Sequence, residues 1–432
     1  MHKSSVVITG LGLVTPIGLT IKPFWSNLIQ GHSGIHPVNV RFDGLETIMY
    51  AAQVSSEDFN PKPYLKRRKQ LKLLSRQGQF AVAAAKMAYE DAGLSDLDMD
   101  PERIGISLGT LFGQPKTKSD INIIVASRSD TNHAIMDTVK YCHYFAKNTN
   151  PIDTLKSITN LIACQIAIEL DARGHVTTFI DSCIASAQAI GNACQKIKRG
   201  EADIMIAGGS ESSIVKQCMI DNFLLFPMAT SRDKTKNNIC RPFDAMRRGF
   251  IPGEGAAMVV LEKLENAEKR HARVYGHLAG YGMSRCPVAS KSNKGAPSVV
   301  RSMKCALQEG GFDTSVVDYI NANGDGTVDG DLTETIAIKK VFGANAYNIP
   351  VSSTKAITGH LLSASSALEL IVSVLAIKKN MMPPTINYTH PDPKCDLDYV
   401  PQYARERELK IVLSNSIGWF GQSASLIVEK CH

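Results

Sequence analysis

Thr177-Thr178-Phe179-Ile180-Asp181-Ser182-Cys183-Ile184-Ala185-Ser186-Ala187 decides how the rest of the chain is read. Its β-branched and aromatic start predicts a short buried strand. The run breaks at Asp181-Ser182. Small residues then recur at Ala185, Ala187, Ala189, Gly191 and Ala193, which predicts a helix packed closely against its neighbours. Cys183 falls where strand meets helix. A thiol there faces free N–H groups and the positive end of the macrodipole, and both favour the nucleophilic thiolate. Such a cysteine suits attack on a thioester or another acyl group. A free cysteine is by default a small core residue, and position alone raises Cys183 above the other nine of the chain's ten.

Outward from that stretch, strands and small-residue helices alternate. Residues 5–12 read as a buried strand entering a glycine turn. Gly10-x-Gly12 suggests a dinucleotide site, but the next glycine is Gly18 and Pro16 stands where the helix would begin, so that reading is set aside. Further strands are expected at 104–110, 202–211 and 257–262. Helices are expected up to Ala92-Gly93 and over 152–170, and the polar stretch from Phe112 to about Asn150 reads as irregular. A second half follows the same logic. Its strands fall near 274–282, 317–324, 350–354, 411–415 and 424–428, and its helices near 297–309, 334–342 and 362–378. This alternation means a layered α/β architecture with an internal pseudo-repeat.

The chain has 432 residues, 44% apolar and 21% charged, with a formal charge of +7 spread over many positions. That is a globular composition and too mild a charge to make nucleic acid the partner. The cysteines form no CxxC pairs, so neither a metal site nor a disulfide framework is expected. No apolar run reaches the roughly 18–20 residues that span a bilayer, so a reducing cytoplasm is expected. Lys62, Lys66, Arg67, Arg68, Lys69, Lys72 and Arg76 interleave with Leu65, Leu71, Leu73 and Leu74. A solvated face is the default reading. The functional one is a docking surface for an acidic partner, centred on Lys66, Arg67, Arg68 and Lys69.

Taken together, the ordered motifs resemble the β-ketoacyl-[acyl-carrier-protein] synthases, type II in particular, of the thiolase-like superfamily. They are Val7-Ile8-Thr9-Gly10-Leu11-Gly12, Asp181-Ser182-Cys183, Ala207-Gly208-Gly209-Ser210-Glu211, Arg241-Pro242-Phe243-Asp244, Ser353-Thr354-Lys355 with Thr358-Gly359-His360, Pro383-Pro384-Thr385, and Asn415-Ser416-Ile417-Gly418. The resemblance implies an α-β-α-β-α five-layered sandwich of two ketoacyl-synthase halves, expected at 1–262 and 263–432, in a homodimer or a ketosynthase heterodimer. It implies acyl transfer from the phosphopantetheine of an acyl carrier protein to Cys183, then condensation with a malonyl carrier protein, with no bound cofactor and no metal. By resemblance, the backbone amides of Cys183 and Trp419 are the oxyanion donors. His360 is the second enolate-holding imidazole and Lys355 the supporting lysine. Glu334 and Glu369 match carboxylates of the surrounding polar network. Thr327, Asp325 and Phe420, with those two glutamates, fall on the substrate and pantetheine side.

The chain also departs from the pattern. The family's Asn-Ala-His-Gly-Thr-x-Thr is here Asn321-Ala322-Asn323-Gly324-Asp325-Gly326-Thr327, so Asn323 replaces the first histidine and Asp325 a threonine. Asparagine keeps an N–H donor but cannot titrate. Trp419-Phe420 replaces a Phe-Gly pair. Three functions are therefore expected to compete: an elongating ketosynthase, a non-elongating acyltransferase using Cys183, and a chain-length-factor-like non-catalytic subunit. The retained Cys183 argues against the last.

Overall fold

A computed structural model describes residues 5–42, 45–111, 123–132, 135–148, 151–212, 214, 227–229, 239–286 and 296–431. The first half contributes β1 (Val6–Val14), β2 (Ile104–Gly109), β3 (Val176–Phe179), β4 (Ile204–Glu211) and β5 (Gly255–Lys263). The second contributes β6 (Gly276–Arg285), β7 (Tyr319–Asn321), β8 (Val351–Ser352), β9 (Ile411–Ile417) and β10 (Gln422–Glu429). From the centre outward the first half runs β1-β5-β4-β2-β3 and the second β6-β10-β9-β7-β8. Strand directions repeat as well: antiparallel at β1/β5, β5/β4, β6/β10 and β10/β9, parallel at β4/β2, β2/β3, β9/β7 and β7/β8. The internal repeat is thus explicit in the topology. A short antiparallel pairing of Val7 with His277 and Ile8 with Gly276 joins the halves into one ten-stranded sheet.

Helices complete five layers. α1 (Arg76–Asp91) and α2 (Leu161–Leu170) cover the outer face of the first half, and α4 (Ala296–Gly310), backed by α5 (Val328–Phe342), covers that of the second. Between them lie α3 (Ala185–Lys198) and α6 (Ser365–Lys379), which touch each other and strands of both halves. α6 is buried from Ser365 to Ile377, as a helix in the middle layer must be, and so it lacks a polar face.

Gly10 and Gly12 do not form a turn. They lie inside β1, where a Cβ would come 2.1 Å from the Ala88 carbonyl oxygen and 2.0 Å from that of Ala84. Gly280 and Gly282 repeat the device in β6 against Ala306 and Ser302 of α4. Both pairs exist because an outer helix lies directly on the strand backbone.

Several expectations are corrected. Among the described residues β3 pairs with β2 alone, at the sheet's edge, and it is half-exposed. The expected 152–170 helix is two, Pro151–Ser157 and Leu161–Leu170, parted at Ile158-Thr159-Asn160, where β-branched and cap-forming residues favour a break. Thr138–Asn148 is helical, not irregular; residues 112–122, 133–134 and 149–150 of that stretch lie outside the described ones. α5 begins at Val328, earlier than expected, because the Thr327 side chain caps it by accepting from Gly330 N–H. As expected, a helix follows the basic run, which itself forms 3₁₀ turns at Lys62–Tyr64 and Arg68–Lys72 before Ser75 caps α1.

Candidate active site

β3 ends at Phe179, and Ser182 takes a left-handed φ of +52°. That conformation is unfavourable for a residue with a Cβ, and it turns the chain sharply into a 3₁₀ turn, Ser182–Ile184, ahead of α3. Cys183 is in this turn, 1% exposed, among Met49, Ala51, Ile214, Met228, Phe250 and Leu362. Ser366 Oγ of α6 donates to its carbonyl at 3.0 Å. The thiolate expectation needs correction for the free protein. Burial pushes the Cys183 thiol up to about 12, against a weaker opposing pull from Ser182. The α-helix proper starts at Ala185, and in an apolar chamber the desolvation of a thiolate outweighs helix-end polarity.

The second half supplies the polar wall. Residues 353–361 lie between β8 and the 3₁₀ turn Leu362–Ala364. His360 N donates to Ile251 O at 2.7 Å and its carbonyl accepts from Gly253 N at 2.8 Å, which clamps it to the glycine-rich loop. Its Nδ1 lies 2.9 Å from Ser365 Oγ, and its buried Nε2 has no partner among the described residues. Burial, then the charge of Lys355, hold its pKa well below the usual histidine value, so the ring is neutral. Phe250 packs edge-on to His360 at 5.6 Å and stands 5.4 Å from the Trp419 ring, which itself lies 6.3 Å from His360 at 85°. Trp419 joins the apolar wall around Cys183.

Beside this wall Lys355, 1% exposed, donates to Glu369 Oε1 and to the Asn323 carbonyl, each at 2.5 Å. Burial alone would lower its pKa, but Glu369 more than offsets that, and the ammonium is kept. Burial pushes Glu369 up to about 7 against the pull of Lys355. Glu334 of α5 accepts from Asn323 N and Gly324 N, each at 2.9 Å, and from Asn415 Nδ2 at 3.2 Å, which fixes the turn carrying Asn323. Burial raises the Glu334 pKa despite those donors. The Asn323 Oδ1 accepts from Ile417 N at 3.1 Å and faces Lys355 Nζ at 3.5 Å. With the oxygen so engaged, the Nδ2 donors are left for another acceptor.

Residues 3–267 match the model of the β-ketoacyl synthase N-terminal domain, and residues 275–389 that of its C-terminal domain. The chain belongs to the β-ketoacyl synthase family. It is 36% identical to the 3-oxoacyl-[acyl-carrier-protein] synthase 2 of Coxiella burnetii, over 100% of this chain and 99% of that protein. Identity to the Synechocystis protein of the same name is also 36%, with the same coverage. Among solved structures it is similar to a type II polyketide ketosynthase in complex with its acyl-carrier protein and bound to a hexaketide, at 29% identity and a TM-score of 0.85. The ishigamide ketosynthase/chain length factor matches at 32% identity with the same score. Each covers the whole of both chains.

For a chain of this family the chamber brings together Cys183, Asn323, Lys355, His360 and Trp419. Asp325 and Thr327 are buried and bonded to each other: the Asp325 Oδ1 accepts from Thr327 N at 2.8 Å and Oγ1 at 2.7 Å. Phe420 is not brought in. It is 65% exposed, and its N–H donates to Gln422 Oε1 at 2.9 Å. Glu334 and Glu369 bond backbone, Asn415 and Lys355 rather than open space. Lys66, Arg67, Arg68 and Lys69 are exposed. Ser365, Ser366 and Phe250 went unrecognised in the sequence. The serines lie in the Ala- and Ser-rich start of α6, whose polar members were the available signal. Among the described residues no group of three or more His, Cys, Asp or Glu could hold a metal, and no helix is long and apolar enough to cross a membrane.

Proposed function

We propose that this ketoacyl synthase is an elongating enzyme with Cys183 as its acyl carrier. One observation carries the reading: the buried Cys183 packs with Phe250 and Trp419, whose rings flank a neutral His360 with an unpartnered Nε2, and Asn323, whose oxygen is already engaged, bonds the backbone two residues before Trp419. The Cys183 sulfur attacks the carrier thioester, and its proton leaves with the carrier thiol. The N–H groups of Cys183 and Trp419 hold the oxyanion. The Ser365 hydroxyl donates to Nδ1 of His360, which leaves the ring proton on Nε2. A malonyl thioester then loses carbon dioxide, and the electron pair of the broken C–C bond passes to an enolate whose oxygen is held by Asn323 Nδ2–H and His360 Nε2–H. The enolate carbon attacks the acyl-Cys183 carbonyl and the Cys183 thiolate departs. With its high pKa, that thiolate is promptly reprotonated by solvent, which closes the proton balance.

The exposed Lys66, Arg67, Arg68 and Lys69 give an acidic carrier protein a landing surface. The carrier-protein complex of one relative and the chain-length-factor pairing of another support that reading and a dimeric state. No bound cofactor enters the steps, and nine free cysteines among the described residues suit a reducing cytoplasm.

The test is to follow Cys183 by intact mass while an acyl carrier protein is added, and then to supply malonyl carrier protein. Acylation followed by carbon dioxide release and a β-ketoacyl product is expected. Acylation with no carbon dioxide reduces the enzyme to an acyltransferase, and no acylation sinks both. Reversing Arg67 and Arg68 to Glu should raise KM for carrier-bound acyl groups roughly tenfold and leave free pantetheine thioesters unaffected.

A further inference from the structure

Gln422 opens β10 directly opposite Arg285 at the end of β6, so the two side chains share one face of the sheet. Both reach Asp181, whose Oδ1 accepts from Gln422 Nε2 at 3.1 Å and from Arg285 Nη2 at 2.6 Å. The other oxygen, Oδ2, accepts from Gln188 Nε2 of α3 at 2.7 Å. Asp181 immediately precedes the 3₁₀ turn of Cys183, where an aspartate ordinarily caps the helix end, yet its side chain makes no cap bond. Its oxygens are committed to distant parts of the chain instead. Gln422 is 3% exposed, and its Oε1 accepts from Phe420 N at 2.9 Å. Its backbone carbonyl accepts from Gly418 N at 2.8 Å, and a Cβ at Gly418 would come 2.6 Å from Gln422 Cγ. The side chain thus lies against the turn that joins β9 to β10 and carries Trp419. One amide bridges the Cys183 elbow and the Trp419 turn: Nε2 holds the residue two before Cys183, and Oε1 the residue after Trp419.

We propose that Gln422 is a positioning residue for acyl transfer: its side-chain amide, held by Asp181, fixes the Trp419–Phe420 backbone so that the Trp419 N–H meets the carbonyl oxygen of a thioester at Cys183. The inference rests on the acylation of Cys183 proposed above. Gln422 acts through the backbone it holds, not on the substrate. Oxyanion donors are effective when they are preorganised, and a displacement of about 1 Å costs about a hundredfold in rate.

The test compares two reactions of the same sulfur, both read by the mass of the Cys183 peptide. With butyryl-pantetheine the sulfur takes the acyl group, pantetheine leaves as its thiol, and an oxyanion forms on the way. With iodoacetamide the sulfur displaces iodide from a saturated carbon, and no oxyanion forms. Gln422→Met keeps the side-chain length and removes both hydrogen-bonding groups. Its limiting acylation rate at saturating thioester should fall about tenfold to a hundredfold, with the half-saturating concentration and the alkylation rate each within about threefold of the unsubstituted protein. Gln422→Glu keeps the acceptor for Phe420 N but sets a carboxylate against Asp181, and should show the same selective loss. Adding Asp181→Asn to it again faces a donor with an acceptor, and should recover most of the acylation rate. Should Gln422→Met misfold, Gln422→Glu and its double variant carry the comparison. The proposal is overturned if acylation stays within about threefold, if acylation and alkylation fall together, or if the second substitution recovers nothing. Unsubstituted protein that butyryl-pantetheine does not acylate overturns the reading beneath this one and this one with it, so the two failures are told apart.

Discussion

In the first half, β3 ends at Phe179 and, after residues 180–181, Ser182 takes φ +52° and opens a 3₁₀ turn into α3. In the second half, β8 ends at Ser352 and, after residues 353–361, Leu362 takes φ +47° and opens the matching turn into α6. The backbone elbow is the same, and the residue after it is Cys183 in one half and Ser363 in the other. Ser363 Oγ is tied to Glu211 Oε2 at 2.8 Å and fully buried. Among the described residues the Cys183 thiol has one long polar contact, with Ser182 Oγ at 3.7 Å, and an apolar surround. The second half holds its polar chemistry in the longer lead-in, which carries Lys355 and His360. The elbow recurs in both halves, and the proposed mechanism divides the labour between them: one would present the nucleophile, the other the groups that manage charge.

Exchanging the roles is the sharpest way to break that comparison. Cys183→Ala should abolish covalent loading by acyl carrier protein, a loss of at least about a thousandfold. Ser363→Ala should leave loading within a few fold and cost about 1–3 kcal/mol of stability, because a buried partner of Glu211 is removed. Loss of loading in folded Ser363→Ala protein would erase the distinction. Next in size, His360→Ala should slow carbon dioxide release by roughly a hundredfold to ten-thousandfold, while acylation of Cys183 changes by less than tenfold. Equal losses in both steps would mean that the charge-managing half also serves the first step.

Two smaller effects concern protons. Alkylation of Cys183 by iodoacetamide in the free enzyme, read by peptide mass, should rise about tenfold per pH unit from 7 to 10, because burial holds the thiol up at about 12; a plateau near pH 8 would mean a stabilised thiolate. Glu369 is raised from 4.5 to about 7. The folded protein therefore binds the extra proton between those values, and stability is full below pH 4.5 and declines as pH rises toward 7. At most this amounts to ~3 kcal/mol. In Glu369→Gln, denaturant midpoints should lose that part of the decline, and an undiminished slope would assign it to another group.

Strands with β-branched runs, small-residue helices and a strand–helix cysteine were legible because period and residue size act locally. So were Lys355 and His360, through their place in a motif at another such junction. The break at Ile158-Thr159-Asn160 and the edge position of β3 were less so, since a four-residue β-branched and aromatic run looks alike whether one strand or two lie beside it. Gly10 and Gly12 were misread as a turn because a glycine needed for close helix packing and one needed for φ carry the same letter.

The order of residues along the chain thus determined the α/β class, the doubled architecture, the family and the candidate residues Cys183, Lys355 and His360. Only the tertiary structure decided the charge state and availability of those groups. Cys183 holds its proton and His360 lacks one because both are removed from water, and Glu369 is poised near neutrality by burial against Lys355. Ionisation depends on solvent and on charges brought from distant parts of the chain, and neither is encoded in a residue's immediate neighbours.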